Sequence, residues 1–243
     1  PAAAERILPS GITEIVYDAS GPMTFFDGTR THRFDGTPVV IGVRDAPYWV
    51  DTRRDQRLVA LALRPTVVSS LLGWSAEDLS NGFHALADFP LASPLVEALL
   101  AGETDARLAA IDDALLRRGA PAPSPEATSL LAAWRVDPQR SVGSVRGQLG
   151  LSHPTFVKRV VESLGMRPAR YRQLLRLQGV LPRLRDRHEG LARVAVEAGY
   201  ADQAHLTRSF RELTGLTPTV YRPVLDGHFM NVADEGVSFR SRP

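Results

Sequence analysis

The sequence predicts an α+β N-terminal region followed by an all-α region built from two helix-turn-helix units. Three observations carry this expectation. The block Gly165-Met166-Arg167-Pro168-Ala169-Arg170-Tyr171-Arg172 returns as Gly215-Leu216-Thr217-Pro218-Thr219-Val220-Tyr221-Arg222, both reading G-x-x-P-x-x-Y-R at a constant offset of 50 residues. A repeat of that kind marks a duplicated supersecondary unit. Each copy follows a short helical pattern, a glycine-bearing turn and a longer amphipathic run, which together spell helix, turn, helix. Finally, residues 119–125 hold three prolines in seven positions with no apolar periodicity, so they read as a semi-rigid linker. The expected organisation is 1–118, a linker at 119–125, a helical region at 126–225 and a tail at 226–243.

In the first region, residues 12–17, 38–43 and 57–63 are short, rich in Val, Ile and Leu, and bounded by Gly, Pro or Asp, as strands are. Leu58, Val59, Leu61 and Leu63 place apolar groups on both faces of the last, which predicts a strand buried on both sides. Pro65 begins a helix and Gly73 stops it. Ser75, with Glu77 and Asp78, opens a second helix. Ser93-Pro94 caps a third, and residues 105–118 form a fourth with Leu108, Ile111 and Leu115 on one face. Strands first, then helices, give an α+β fold.

Beyond the linker, residues 126–136 lead in. Residues 142–149 and 152–164 form the first helix-turn-helix, and 168–185 form an Arg-rich connector that Pro182 is expected to kink. Residues 191–198 and 202–214 form the second unit, and 218–225 close the region as a helix. The tail carries no helical pattern; Val237, Phe239 and Arg240 form at most a short extended segment.

The 243 residues carry a net charge of only +2, but the charge is divided. Residues 1–120 have 11 arginines and no lysine against 16 acids, whereas 140–223 have 15 bases against 6 acids. An acidic part joined to a basic part directs only the latter toward a polyanion. Hydrophobic residues make up 44% and no apolar run approaches a membrane span, so no membrane partner is expected. With no cysteine there is no disulfide or thiolate chemistry, as suits a cytoplasmic protein. Phosphate-binding loops, dinucleotide fingerprints and hydrolase elbows are missing. The six histidines include no pair spaced to grip a metal. Neither a cofactor nor an enzymatic activity is therefore expected.

In residues 202–214, Leu206, Phe210 and Leu213 fall at i, i+4 and i+7 and face a core. Gln203, Ala204, Thr207, Arg208 and Arg211 are left outward, with Asp202 as the cap. That set suits a DNA major groove: Gln pairs with adenine and Arg with guanine through two bonds each, and Thr offers a hydroxyl and a methyl. In the first unit the core stripe is Phe156, Val160 and Leu164. Pro154, Val157, Lys158 and Val161 face outward, and only Lys158 is a strong donor. The second unit is thus expected to read bases, and the first to supply phosphate, shape and apolar contacts, with His153 a candidate phosphate contact. The arginines at 170, 172, 176, 183, 185 and 187 divide between phosphate contacts and a solvated face. Tyr171 and Tyr221 are core anchors, and Gly165 and Gly215 are left-handed helix stops.

The run from Ala195 to Arg211, followed by G-L-T-P-x-x-Y-R, resembles the second helix-turn-helix of AraC/XylS-type transcription regulators, and the likeness extends over residues 126–225. It implies seven helices, with two reading heads in successive major grooves of double-stranded DNA. The heads would lie about 34 Å apart. It carries the base-contacting role to Pro154, Val157 and Lys158, and to Gln203, Ala204, Thr207 and Arg208. Pro154 and Val157 stand where the family often has polar or aromatic readers. The run from Leu8 to Tyr17, with 59–65 and 71–73, is similar to a small cupin-like β-barrel used as a sensor, which implies a small-molecule effector or a homodimer. The chain begins almost directly on a strand, which leaves a preceding strand to be expected. The resemblance implies transcription regulation, activation included, through RNA polymerase. The competing readings are a protein-interaction module with degenerate heads and a cupin-like enzyme whose distant His and Glu converge.

Overall fold

A computed structural model describes residues 4–52, 55–119, 123–185, 189–221 and 231–234. The N-terminal half is built on β1 (Ala4–Ile7), β2 (Thr13–Asp18), β3 (Met23–Phe26), β4 (Thr31–Phe34), β5 (Val39–Ile41), β6 (Tyr48–Asp51), β7 (Leu58–Leu63) and β8 (Phe83–Ala85). A ninth strand, β9 (Asn231–Ala233), comes from the tail. They form two antiparallel sheets, β4-β3-β6-β1-β9 and β7-β2-β5-β8, with no ladder closing them into one barrel among the described residues.

Alternation along the strands explains the layers. Val39 and Ile41 on β5 face the first sheet and pack with Met23, Phe25, Tyr48 and Phe83. There the Phe25 and Phe83 rings stack at 4.9 Å. Val40 between them, with Ile15 and Leu63, points the other way into a helical layer. That layer consists of α1 (Val68–Leu72), α2 (Ala76–Leu79), α3 (Ser93–Leu100) and α4 (Thr104–Arg118).

Several expectations are corrected here. Residues 58–63 do form a strand, but an edge strand: among the described residues β7 pairs with β2 alone, and Leu58 is 52% exposed. Val59, Leu61 and Leu63 alone meet the helices. Ser93 is not the cap of α3 but lies inside its first turn, with Ala92 at the boundary. On α4 the buried face is Arg107, Ile111 and Ala114 rather than one through Leu108, which is 48% exposed. Arg107 is drawn inward because its Nε donates to the Leu99 carbonyl at 2.8 Å and its Nη2 to the Gly102 carbonyl at 2.8 Å. Ahead of the first expected strand, residues 4–7 form β1, which pairs with β6 and β9. Val237, Phe239 and Arg240 lie outside the described residues.

The C-terminal half comprises α5 (Pro125–Val136), α6 (Val142–Gln148), α7 (His153–Leu164), α8 (Pro168–Val180), α9 (Leu191–Glu197) and α10 (Gln203–Thr214). The connector α8 ends at Val180 instead of kinking. Leu181 caps it, Pro182 comes next, and the chain continues as a single 3-10 turn, Arg183–Arg185. Pro218 to Val220 forms a turn, and 222–225 lie outside the described residues. One hydrophobic cluster joins α5 to α10 and reaches Leu8, Val43 and Val232 of the sheet layer. The two halves are therefore packed together, not merely tethered.

Candidate nucleic-acid interface

The two longer helices of the pairs, α7 and α10, are positioned in the same way. Each starts at a side-chain cap: the Ser152 hydroxyl accepts from Thr155 N at 3.3 Å, and the Asp202 carboxylate accepts from His205 N at 2.6 Å. Each ends at a glycine in the left-handed region, Gly165 at φ 73° and Gly215 at φ 72°. Each is pinned by an apolar stripe with no exposure, Phe156, Val160 and Leu164 in one and Leu206, Phe210 and Leu213 in the other. Tyr171 and Tyr221 are buried with them.

Locking those stripes fixes what faces outward. On α10, Gln203, Ala204, Arg208 and Arg211 are exposed. Thr207 is half-buried, and its hydroxyl donates to the Gln203 carbonyl at 2.9 Å. That hydroxyl keeps its acceptor lone pair and its methyl for another partner, but its proton is committed. On α7, His153, Pro154 and Lys158 are exposed, and Val157 and Val161 are half-buried. Lys158 lies 3.8 Å from Glu162, one turn along the same helix.

The surrounding arginines sort by partner. Arg159 of α7 pairs with buried Glu126 at the start of α5. Burial pushes the Glu126 carboxyl up, but the hydrogen bond and charge of Arg159 outweigh it and hold the group below the usual range. Arg183 is shared between Glu189 and Glu197, and Arg193 also bonds Glu197 at 2.8 Å. Arg170 bridges Asp45 of the sheet layer at 3.2 Å and Glu212 of α10 at 2.5 Å. No local pattern signals this last role, because the partners of Arg170 lie 125 and 42 positions away. Arg170 and Arg183 therefore brace the fold. Arg187 and the side chain of Arg185 lie outside the described residues.

The sheet layer also reaches α8 and the far end of α10. Tyr171 Oη donates to the Gly11 carbonyl at 2.8 Å. The Arg6 guanidinium donates to the Thr214 carbonyl at 3.3 Å, where a cation meets the negative end of the α10 dipole.

Residues 147–223 match the family of helix-turn-helix domains. An uncharacterized HTH-type transcriptional regulator of Haemophilus influenzae is 29% identical over 72 residues, which is 30% of this chain. The match spans about a quarter (24%) of that relative's length. Among solved structures, ToxT from Vibrio cholerae superposes with a TM-score of 0.52 at 11% identity, covering 90% of this chain and 93% of ToxT. A second ToxT structure, bound to (E)-4-(8-methylnaphthalen-1-yl)but-3-enoic acid, gives 0.51 at 11% identity over 90% and 94% of the two chains. A third, bound to an unsaturated fatty acid, gives 0.51 at 11% identity over 96% and 94%. The ToxT likeness covers both halves and shows a common fold. Residues 147–223 thus carry a helix-turn-helix domain, and it follows an N-terminal β-sheet domain.

Proposed function

We propose that this chain is a sequence-specific DNA-binding transcription regulator of the AraC/XylS type, with α10 as its principal base reader. The observation that supports this most is the division of α10. One stripe is locked in the core, while Gln203, Ala204, Arg208 and Arg211 stand in solvent just beyond the Asp202 cap. Gln203 would pair with adenine, Arg208 with guanine, and the Thr207 methyl would touch thymine. In the first head, His153 and Lys158 would contact phosphates, and Pro154 and Val157 would offer shape and apolar surface. The heads would enter successive major grooves about 34 Å apart.

In this reading residues 126–225 bind DNA, 119–125 link, and 1–118 sense an effector or pair two copies. Bound to a promoter in the cytoplasm, the protein would act through RNA polymerase. Control by a small molecule is favoured by the ToxT structures that hold carboxylic acids. The test is affinity for selected and random duplexes over a salt series. A DNA binder loses affinity steeply as salt rises, because phosphate contacts release counterions. Salt-independent binding, or equal affinity for both duplexes, would overturn the reading.

A further inference from the structure

A cleft of about 660 Å³ lies between the C-terminal end of α5, the connector α8, the turn after α9 and the β1–β2 loop. Its volume is within the range of small-molecule sites. Its lining combines apolar Leu131, Trp134, Leu175 and Val196 with Arg135, Arg172 and Arg176. The neighbouring arginines Arg159, Arg170, Arg183 and Arg193 each have a carboxylate partner. These three do not among the described residues. Among the described residues, Arg176 Nη2 donates to the neutral Gln139 side chain at 2.9 Å, its guanidinium lies over the Tyr200 ring at 5.9 Å, and its Nε is buried without a hydrogen-bond partner. The cleft's acid, Glu197, is already shared by Arg183 and Arg193.

We propose that this cleft binds a small amphipathic carboxylate, with its apolar body against Leu131, Trp134 and Leu175 and its carboxylate on Arg172 and Arg176. Burial and the charge of Arg172 push the Arg176 guanidinium below its ordinary value, a tension that an anion relieves. The apolar part of the lining is what separates this site from a simple phosphate patch, since a phosphate gains nothing from Trp134 and Leu175. An occupant would touch the β1–β2 loop, the connector and the turn before α10 at once, so it would set the angle between the heads. This deepens the regulator reading, and its regulatory part rests on it.

The test uses the full chain with 2-naphthoate and oleate as probes and 2-naphthylmethanol as the neutral counterpart, followed by calorimetry without DNA. Both carboxylates should bind, the alcohol at least tenfold more weakly. The double variant R172Q/R176Q should also lose at least tenfold. Gly179 lines the cleft, and a Cβ there meets nothing within 4 Å, so Gly179→Phe should block binding while leaving the melting temperature unchanged or higher. Failure of both carboxylates to bind, or equal binding by wild type and both variants, overturns the proposal. So does a loss of probe-free DNA affinity and of salt dependence in R172Q/R176Q with no probe binding, because the arginines would then be phosphate contacts. DNA affinity measured separately keeps the two readings apart: a duplex binder that ignores the probes loses only the cleft, and a probe binder that ignores DNA loses only the regulator.

Discussion

The two copies of G-x-x-P-x-x-Y-R are alike in sequence and opposite in setting. A Cβ on Gly165 would lie 2.2 Å from Val43 Cγ1 and 2.7 Å from the Ala76 carbonyl, because the end of α7 is packed against α2 and the sheet layer. Among the described residues, a Cβ on Gly215 would meet only the Arg6 guanidinium, at 3.2 Å. The first head is thus built into the N-terminal half, whereas the second is held by two arginine contacts, Arg170 to Glu212 and Arg6 to Thr214. The faces differ in the same sense. The docked head presents Pro154 and a half-buried Val157, and the freer head presents Gln203, Arg208 and Arg211. The two wedges are thus alike in build but not in setting: one is docked on the sheet layer, and the other presents the more polar outer face.

Substituting the two glycines breaks this comparison most directly. Both Gly165→Ala and Gly215→Ala place a side chain in the left-handed region, at about 1–2 kcal/mol. Gly165→Ala adds overpacking against backbone, about 1–3 kcal/mol more, while the Arg6 side chain can swing aside. Denaturant melts should place Gly165→Ala clearly below Gly215→Ala; equal losses would mean the first head is not docked.

The next contrast concerns reading. Arg208→Ala should cost about 1–3 kcal/mol at one base position, whereas Lys158→Ala should weaken all sequences alike and flatten the salt slope by about one. Affinities for a set of single-base variants decide between them. If Arg208→Ala also acts uniformly, Arg208 is a phosphate contact.

Caps give a smaller effect. Asp202→Ala and Ser152→Ala should each remove about 1 kcal/mol. The 2.6 Å bond in α10 against 3.3 Å in α7 puts the larger loss at Asp202. Thermal melts of the pair check the order.

The smallest effect is one of pH. The folded-state pKa of Glu126 is depressed, so its contribution is present above the ordinary carboxylate range and fades as pH falls through the folded value. The stability gap between wild type and Glu126→Gln should therefore be full at neutral pH and shrink below pH of about 4.5. A gap that stays constant through acid would show that Arg159 does not stabilise the ionised carboxylate.

The C-terminal half was legible because its signals are local. A 3.6-residue period picked out Phe156, Val160, Leu164, Leu206, Phe210 and Leu213, all of which have no exposure. Gly165 and Gly215 marked the helix ends that their positive φ angles require. The sheet layer was legible only in part. β3, β4, β6 and β8 are three or four residues long, too short for alternation to stand out, and β4 reads Thr-His-Arg-Phe. β1 and β9 join Glu5 to Ala233, a pairing no window can detect. Long-range partnership also hid the bracing role of Arg170, since Asp45 and Glu212 belong to other elements.

The most direct test of two unequal heads is selection of binding sites from random duplex by the full chain. The account predicts a consensus in two blocks about one helical turn apart, with the sharper block relaxing in Arg208→Ala and the weaker one unchanged. No enriched sequence, or a single block insensitive to Gln203 and Arg208 substitutions, would contradict it.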